Sequence, residues 1–107
     1  MDRQVQEELS ILTSIIIDTV PVEQIYLFGS YANGTPHSDS DLDIYVVIPD
    51  DADMREIDAV KAIRRAIRDK KTMPVDVVVS KQSRFLRRAS APTIERHITQ
   101  EGLALYG

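Results

Sequence analysis

The sequence contains no cysteine, so disulfide bonds and thiolate metal sites are excluded. It has no apolar run long enough to span a membrane, and its first residues, Met1 to Gln4, are too polar for a signal peptide. It also lacks an excess of basic residues, because its net charge is −4. We therefore expect a cytoplasmic protein, with no membrane segment and with no general affinity for nucleic acid.

The length and composition indicate one globular domain. The chain has 107 residues, of which 43% are hydrophobic and 28% are charged. These values are ordinary for a compact domain, and no repeat, linker or low-complexity segment interrupts the sequence. We expect a single domain over residues 1–107.

Hydrophobic periodicity predicts alternating helices and strands. The expected strands cover residues 24–28, 42–48 and 75–79, and the expected helices cover residues 2–19, 53–70, 81–89 and 93–101. The apolar tail over 103–106 fits either a strand or packing material. This order predicts an α/β fold with a small mixed β-sheet of about three core strands, plus a short extra strand if the tail pairs, covered by helices.

Local signals refine the expected element ends. Asp53, followed three residues later by Glu56, forms a capping-box pattern that predicts a helix start. Ser30 is a good N-cap and Gly34 a good stop, which predicts one helical turn between them. The run over 42–48 is apolar on both faces after Asp43, which indicates a central strand.

Charge is distributed unevenly along the chain. Acidic residues crowd positions 39–58, and ten of the 13 basic residues fall between positions 61 and 88. Two readings stay open. The segments are two solvated helix faces, or they form an acidic metal site beside a basic surface that meets an anion or an acidic partner.

Three aspartates are candidates for a metal site. Asp41 and Asp43 are two apart on a strand, so they project to one side with α-carbons about 6.6 Å apart. Without a cation such close charges would repel, and an all-oxygen site with few protein ligands suits Mg²⁺. Asp76, set among valines in a neighbouring strand, would complete the cluster. The alternative for Asp76 is a strand-end aspartate that faces water.

Gly29 and Ser30 follow the first strand directly. Glycine lets the backbone approach a ligand closely, and the N–H groups of a helical turn can bind phosphate. The alternative is an ordinary strand-to-helix turn. A P-loop is excluded although Gly29 and Gly34 have its glycine spacing, because Thr35-Pro36 stands where that motif requires lysine.

Together these motifs resemble the nucleotidyltransferase superfamily that includes DNA polymerase β. They are most similar to its small prokaryotic branch, the minimal nucleotidyltransferases. The resemblance covers nearly the whole chain and rests on Gly29-Ser30, Ala32, Gly34, Ser40-Asp41-Leu42-Asp43 and Asp76. One residue departs from the pattern. Many members carry arginine where this chain has Asn33. Because an arginine there could contact phosphate, we expect weaker binding of the triphosphate in this chain.

The resemblance implies roles for these residues. Asp41, Asp43 and Asp76 would be the catalytic residues and would hold two Mg²⁺ ions, with Mn²⁺ as an alternative. Gly29 and Ser30 would bind the phosphates of the nucleotide, assisted by the metal held at the first two aspartates. Asp76 would be the ligand on the acceptor side and a candidate general base.

The resemblance also implies a partner and a reaction. Such proteins commonly serve as the antitoxin of a HEPN-domain toxin and transfer AMP from ATP to a tyrosine of that toxin. We therefore expect a nucleotidyltransferase that acts in a homo- or hetero-oligomer. Because no acceptor-binding domain is recognised in the sequence, we expect the acceptor to come from another protein. A non-catalytic antitoxin that neutralises its partner by binding stays open as the alternative.

Overall fold

The structure is a computed structural model that describes residues 1–37 and 39–107. Within these residues there are five helices and four strands, which alternate except that the last two helices are consecutive. Among the helices of these residues, none combines the length and the apolar character that a bilayer crossing requires. The elements are α1 Arg3–Thr19, β1 Gln24–Phe28, α2 Ser30–Asn33, β2 Leu42–Ile48, α3 Glu56–Ile67, β3 Val75–Lys81, α4 Gln82–Ala89, α5 Ile94–Glu101 and β4 Leu103–Tyr106.

The four strands form one mixed sheet in the order β3-β2-β1-β4. Strand β2 is parallel to β3 and antiparallel to β1, and β1 is antiparallel to β4. The predicted α/β fold with a small mixed sheet is therefore confirmed, as is the inner position of β2. The apolar tail, for which two readings were open, pairs as the fourth strand.

One face of the sheet packs against α1 and α3. Every second residue of β2 points to this face, and the helices supply apolar residues at helical spacing, such as Leu12, Ile16 and Ile63. The side chains of this cluster exclude water almost completely. These helices could be predicted from the sequence because apolar residues at helical spacing mark the buried face of a helix.

The other face of the sheet is covered only in part. Here Tyr45 and Val47 of β2 pack against Phe85 of α4 and Ile98 of α5. The ring of Phe85 stacks on Tyr26 with centroids 5.8 Å apart and lies 5.2 Å from the ring of Tyr45. Val78 of β3 lies on the same face and remains exposed. This partial cover leaves one end of the face open to solvent.

The predicted start of α3 and the predicted N-cap of α2 are wrong, whereas the predicted helical turn between Ser30 and Gly34 is correct. Helix α3 begins at Glu56 rather than Asp53, because Glu56 does not fold back to a capping partner but reaches the next strand and helix. Its carboxylate accepts a hydrogen bond from the backbone N–H of Lys81 at 2.8 Å and pairs with Arg84 at 2.6 Å. In α2 the N-cap position belongs to Gly29 and not to Ser30, which is the first helical residue.

A buried polar group ties α5 to the sheet. The hydroxyl of Tyr45, whose side chain is only 1% exposed, donates to Oε2 of Glu95 at 2.8 Å. Oε1 of Glu95 lies 3.0 Å from Nε of Arg88, although it receives no well-aligned hydrogen bond there. Burial raises the pKa of Tyr45 to about 12. Burial also acts to raise the pKa of Glu95, but the hydrogen bond from Tyr45 and the nearby positive charge of Arg88 outweigh it and leave that pKa below its ordinary value.

Replacing Glu95 by alanine should destabilise the protein. The hydroxyl of Tyr45 would lose its acceptor inside the core, and an unsatisfied buried donor costs about 2 kcal/mol. We expect a Tm lower by about 10 °C in thermal denaturation followed by circular dichroism. The exposed Glu101 of the same helix supplies the control, because Glu101→Ala should change Tm by no more than about 2 °C. Equal Tm values for the two variants would contradict this role of Glu95.

Candidate functional site

The open end of the sheet brings two of the candidate aspartates together. In the parallel pairing of β2 with β3, Asp43 is the direct register partner of Asp76. Residues in register on neighbouring strands project to the same face, so both carboxylates lie on the partly covered side of the sheet. Asp43 is half-buried there, and Asp76 is exposed.

Asp41 lies one residue before β2 begins and is exposed. The turn that leads to it is held by Ser40, which is buried. The hydroxyl of Ser40 accepts a hydrogen bond from the backbone N–H of His37, and the backbone N–H of Ser40 donates to the carbonyl of His37, both at 2.9 Å. Ser40 thereby fixes the direction in which the chain enters β2.

Gly29 lies directly against Asp43. Its φ of +80° is a conformation that side chains with a Cβ rarely adopt. A Cβ built on Gly29 would overlap the carboxylate of Asp43. The close approach follows from the antiparallel pairing of β1 with β2, in which Phe28 is the partner of Asp43. Two features therefore require glycine at this position, namely the positive φ and the lack of space for a Cβ beside the carboxylate of Asp43.

Helix α2 begins at Ser30, immediately after Gly29, and spans one turn. As predicted, Gly34 ends the helix, and its φ of +76° is left-handed. The backbone N–H of Gly34 donates a hydrogen bond to the carbonyl of Ser30. Asn33 closes the turn through a backbone bond to the carbonyl of Gly29 at 3.0 Å, and its side chain is exposed. The N–H groups at the start of a helix have no partner within it, so those beside Gly29 are available to an anion.

The three carboxylates repel one another. Burial raises the pKa of Asp43 above its ordinary value, and the negative charges of Asp76 and Asp41 raise it further. Ionised Asp43 is therefore less favourable in the folded chain than in the unfolded chain. The site holds more negative charge than its protein surroundings neutralise.

Asp43→Asn should stabilise the cation-free protein at neutral pH. Because the folded-state pKa of Asp43 is raised, wild-type stability is fully present below the ordinary carboxylate pKa and declines as pH rises through the raised value. We expect the variant to melt about 2 °C above wild type at pH 7.5, with a difference that shrinks towards pH 4. Thermal denaturation in chelator over that pH range is the measurement. A wild-type protein that melts above the variant at pH 7.5 would contradict the repulsion.

The donor set suits a hard divalent cation. Carboxylate oxygens from Asp41, Asp43 and Asp76 are the ligands that Mg²⁺ prefers, and such an ion would relieve their repulsion. Over residues 1–37 and 39–107, however, no three metal-ligating side chains are already gathered as a closed cluster. The residues thus fit a metal in their chemistry, while their side chains would have to converge around it.

A basic residue that the motif pattern did not single out also reaches the site. Arg64 of α3 lies with Nη2 at 3.3 Å from Oδ1 of Asp76. In the sequence Arg64 is only one of the ten basic residues between positions 61 and 88, and its partner is twelve positions away. The contact depends on β3 being an edge strand, because an arginine from the helix can then reach around the sheet.

The fold and the site together define an α/β protein in which a glycine turn lies against a group of three aspartates. A family model described as a nucleotidyltransferase domain matches residues 9–105. The chain therefore belongs to the nucleotidyltransferase domain family, and the resemblance seen in the motifs is confirmed.

Two solved structures and one sequence relative are similar to the chain. A crystal structure of the toxin–antitoxin pair MntA–HpeT with two aspartates changed to glutamate has a TM-score of 0.66 and 29% identity, with 92% of this chain and 73% of that chain covered. A toxin–antitoxin crystal structure with AMP-PNP has a TM-score of 0.58 and 31% identity, covering 94% and 73%.

The sequence relative is the protein adenylyltransferase MntA of Shewanella oneidensis. It is 44% identical to this chain over 43 residues. The matched segment makes up 39% of this chain and 31% of that protein. The likeness in sequence therefore spans about a third of the relative's length.

Proposed function

We propose that the protein transfers AMP from ATP to a tyrosine hydroxyl of a HEPN-domain toxin and so acts as its antitoxin. Support comes from family membership, from the similarity to a protein adenylyltransferase, and from the toxin–antitoxin structures that share the fold. The observation that carries the proposal is the register of Asp43 with Asp76, which sets two carboxylates beside a glycine turn. We further propose that residues 1–107 act as one cytoplasmic domain.

The residues of the site take the following roles in this proposal. Asp41 and Asp43 would hold Mg²⁺ or Mn²⁺ together with the nucleotide, and Gly29 and Ser30 would bind its phosphates through the start of α2. Asp76 is the ligand on the acceptor side and accepts the proton of the attacking hydroxyl. Bound metal supplies charge stabilisation for the transferring phosphoryl group.

In the reaction the hydroxyl oxygen of the tyrosine forms a bond to the α-phosphorus of ATP. The bond from that phosphorus to the oxygen that bridges the α- and β-phosphates breaks. Pyrophosphate leaves, and the proton of the hydroxyl passes to Asp76. The open end of the sheet face suits this reaction, because a partner can bring its hydroxyl to the carboxylates from solvent. Asp76 is exposed and Asp43 is half-buried, so an acceptor hydroxyl can reach Asp76 directly from solvent.

The test is the transfer of label from α-³²P-ATP to the co-expressed toxin partner. We expect a labelled toxin band with Mg²⁺ or Mn²⁺, no band after chelation with EDTA, and none with γ-³²P-ATP, because the γ-phosphate leaves with pyrophosphate. A toxin in which the accepting tyrosine is replaced by phenylalanine should remain unlabelled. Absence of label under every metal condition would refute the transfer.

A non-catalytic antitoxin that works by binding alone is the second candidate. It is supported by the similar structures that are themselves toxin–antitoxin pairs, because such a pair can neutralise the toxin through contact alone. The two candidates differ in the effect of removing a carboxylate. Binding alone should survive such a substitution, whereas neutralisation by AMP transfer should be lost.

A further inference from the structure

The ion pair between Arg64 and Asp76 joins α3 to the edge strand β3. Nη2 of Arg64 lies 3.3 Å from Oδ1 of Asp76, and the two side chains are 56% and 55% exposed. Pairs that are exposed to this degree contribute little to stability, because water screens the attraction and two side chains must be ordered. The fold therefore does not depend on the contact, and its position next to Asp43 calls for another explanation.

Among the ion pairs that the structure describes, the pair of Arg64 and Asp76 is distinguished by its location at the candidate site. Asp76 faces Asp43 across the parallel strands, and its charge contributes to the raised pKa of that residue. The guanidinium of Arg64 supplies a positive charge at the acceptor side of this carboxylate group. It lies against Oδ1, one of the two carboxylate oxygens of Asp76 that a divalent cation could bind.

A guanidinium and a divalent cation cannot share that oxygen without repulsion. Two like charges a few ångströms apart repel, although water limits the repulsion at this degree of exposure, and arginine stays charged at any physiological pH. Arg64 must therefore turn away when a cation binds to Asp76. Its side chain has room to do so, because it lines a cavity of about 330 Å³ with Arg68 and Lys71 at the end of α3.

We propose that Arg64 is a displaceable counter-ion for Asp76, which holds the acceptor-side carboxylate until a divalent cation takes its place. This inference rests on the proposed function, since it assumes that Asp76 binds a cation. Arg64 is then a positioning residue that acts through Asp76. It raises the cation concentration at which the acceptor side of the site is filled.

The test uses Mn²⁺ alone, without nucleotide or partner, and follows the signal of free aqueous Mn²⁺ by electron paramagnetic resonance. We expect Arg64→Met to bind Mn²⁺ about fivefold more tightly than wild type. This factor corresponds to the largest interaction free energy that is usual for an exposed ion pair. Arg68→Met is the matched control, because Arg68 carries the same charge, directly follows the last residue of α3 and lines the same cavity. It should change the affinity by less than about twofold.

A double-substitution cycle separates the pairwise effect from a general change of charge. In the background of Asp76→Asn, Arg64→Met should no longer alter Mn²⁺ affinity. Thermal denaturation of every variant establishes that each is folded at the temperature of the titration. Equal Mn²⁺ affinity in wild type and Arg64→Met, with label transfer intact, would overturn the counter-ion role alone. No Mn²⁺ binding by either protein would overturn both this inference and the metal site of the proposed function.

Discussion

Asp43→Asn should reduce the proposed AMP transfer by at least about 10³-fold, because a bound metal would contribute several kcal/mol to the stabilisation of the transition state and each 1.36 kcal/mol is tenfold in rate. Asp43 is the carboxylate at the centre of the group, next to Gly29 and in register with Asp76. Asparagine keeps the shape of the side chain and removes its charge. The measurement is the initial rate of label transfer to the toxin at saturating ATP and Mg²⁺.

The comparison with Asp51→Asn controls for the change of net charge. Asp51 is an exposed turn residue beyond the end of β2, and its replacement should leave the rate within about twofold of wild type. Loss of transfer in Asp43→Asn cannot be ascribed to unfolding, since this variant is expected to melt above wild type. An Asp43→Asn protein that retains transfer would exclude the metal role of Asp43. One that loses transfer but still neutralises the toxin would favour the binding-only antitoxin.

Periodicity and motif spacing predicted most of the fold because both report local or near-local physics. The buried stripes of α1 and α3 are visible as apolar residues at helical spacing, and β2 is visible as a continuous apolar run. The start of α3 was missed for a non-local reason. Glu56 bonds to Lys81 and Arg84, which are more than twenty residues away, and such a partner competes with the local capping box.

The same distinction applies to the candidate site. The spacing of Asp41 and Asp43 is local, and the strand pattern around Asp76 was enough to place it on a neighbouring strand. The contact of Arg64 with Asp76 depends on how a helix lies over a sheet edge, and no spacing rule encodes that geometry. Tyr45 and Glu95 are fifty residues apart, so their buried bond likewise left no trace in the sequence.

Gly29→Ala should impair both stability and transfer. Alanine is strained at a φ of +80°, which costs about 1–3 kcal/mol, and its Cβ would also displace the carboxylate of Asp43. We expect a Tm lower by about 10 °C and a transfer rate lower by at least about 10²-fold. Thermal denaturation and the label-transfer assay, both at a temperature where the variant is folded, are the measurements.

Gly34→Ala tests a positive φ away from the carboxylates, because Gly34 has a φ of +76° and nothing lies within 4 Å of a Cβ built there. Gly34 is in the left-handed helical region, whereas Gly29, with φ +80° and ψ −158°, is in a region that only glycine adopts readily, so Gly34→Ala gives a lower bound for the strain at Gly29. It should show the cost of backbone strain alone, about 1 kcal/mol, with transfer close to wild type. The overlap with Asp43 is then isolated by combining Gly29→Ala with Asp43→Ala, which removes the displaced carboxylate. Because the two residues are in contact, the double variant should be more stable than the sum of the single effects implies. Strict additivity, or an equal loss of transfer in Gly34→Ala, would mean that Gly29 acts only through its backbone and does not position Asp43.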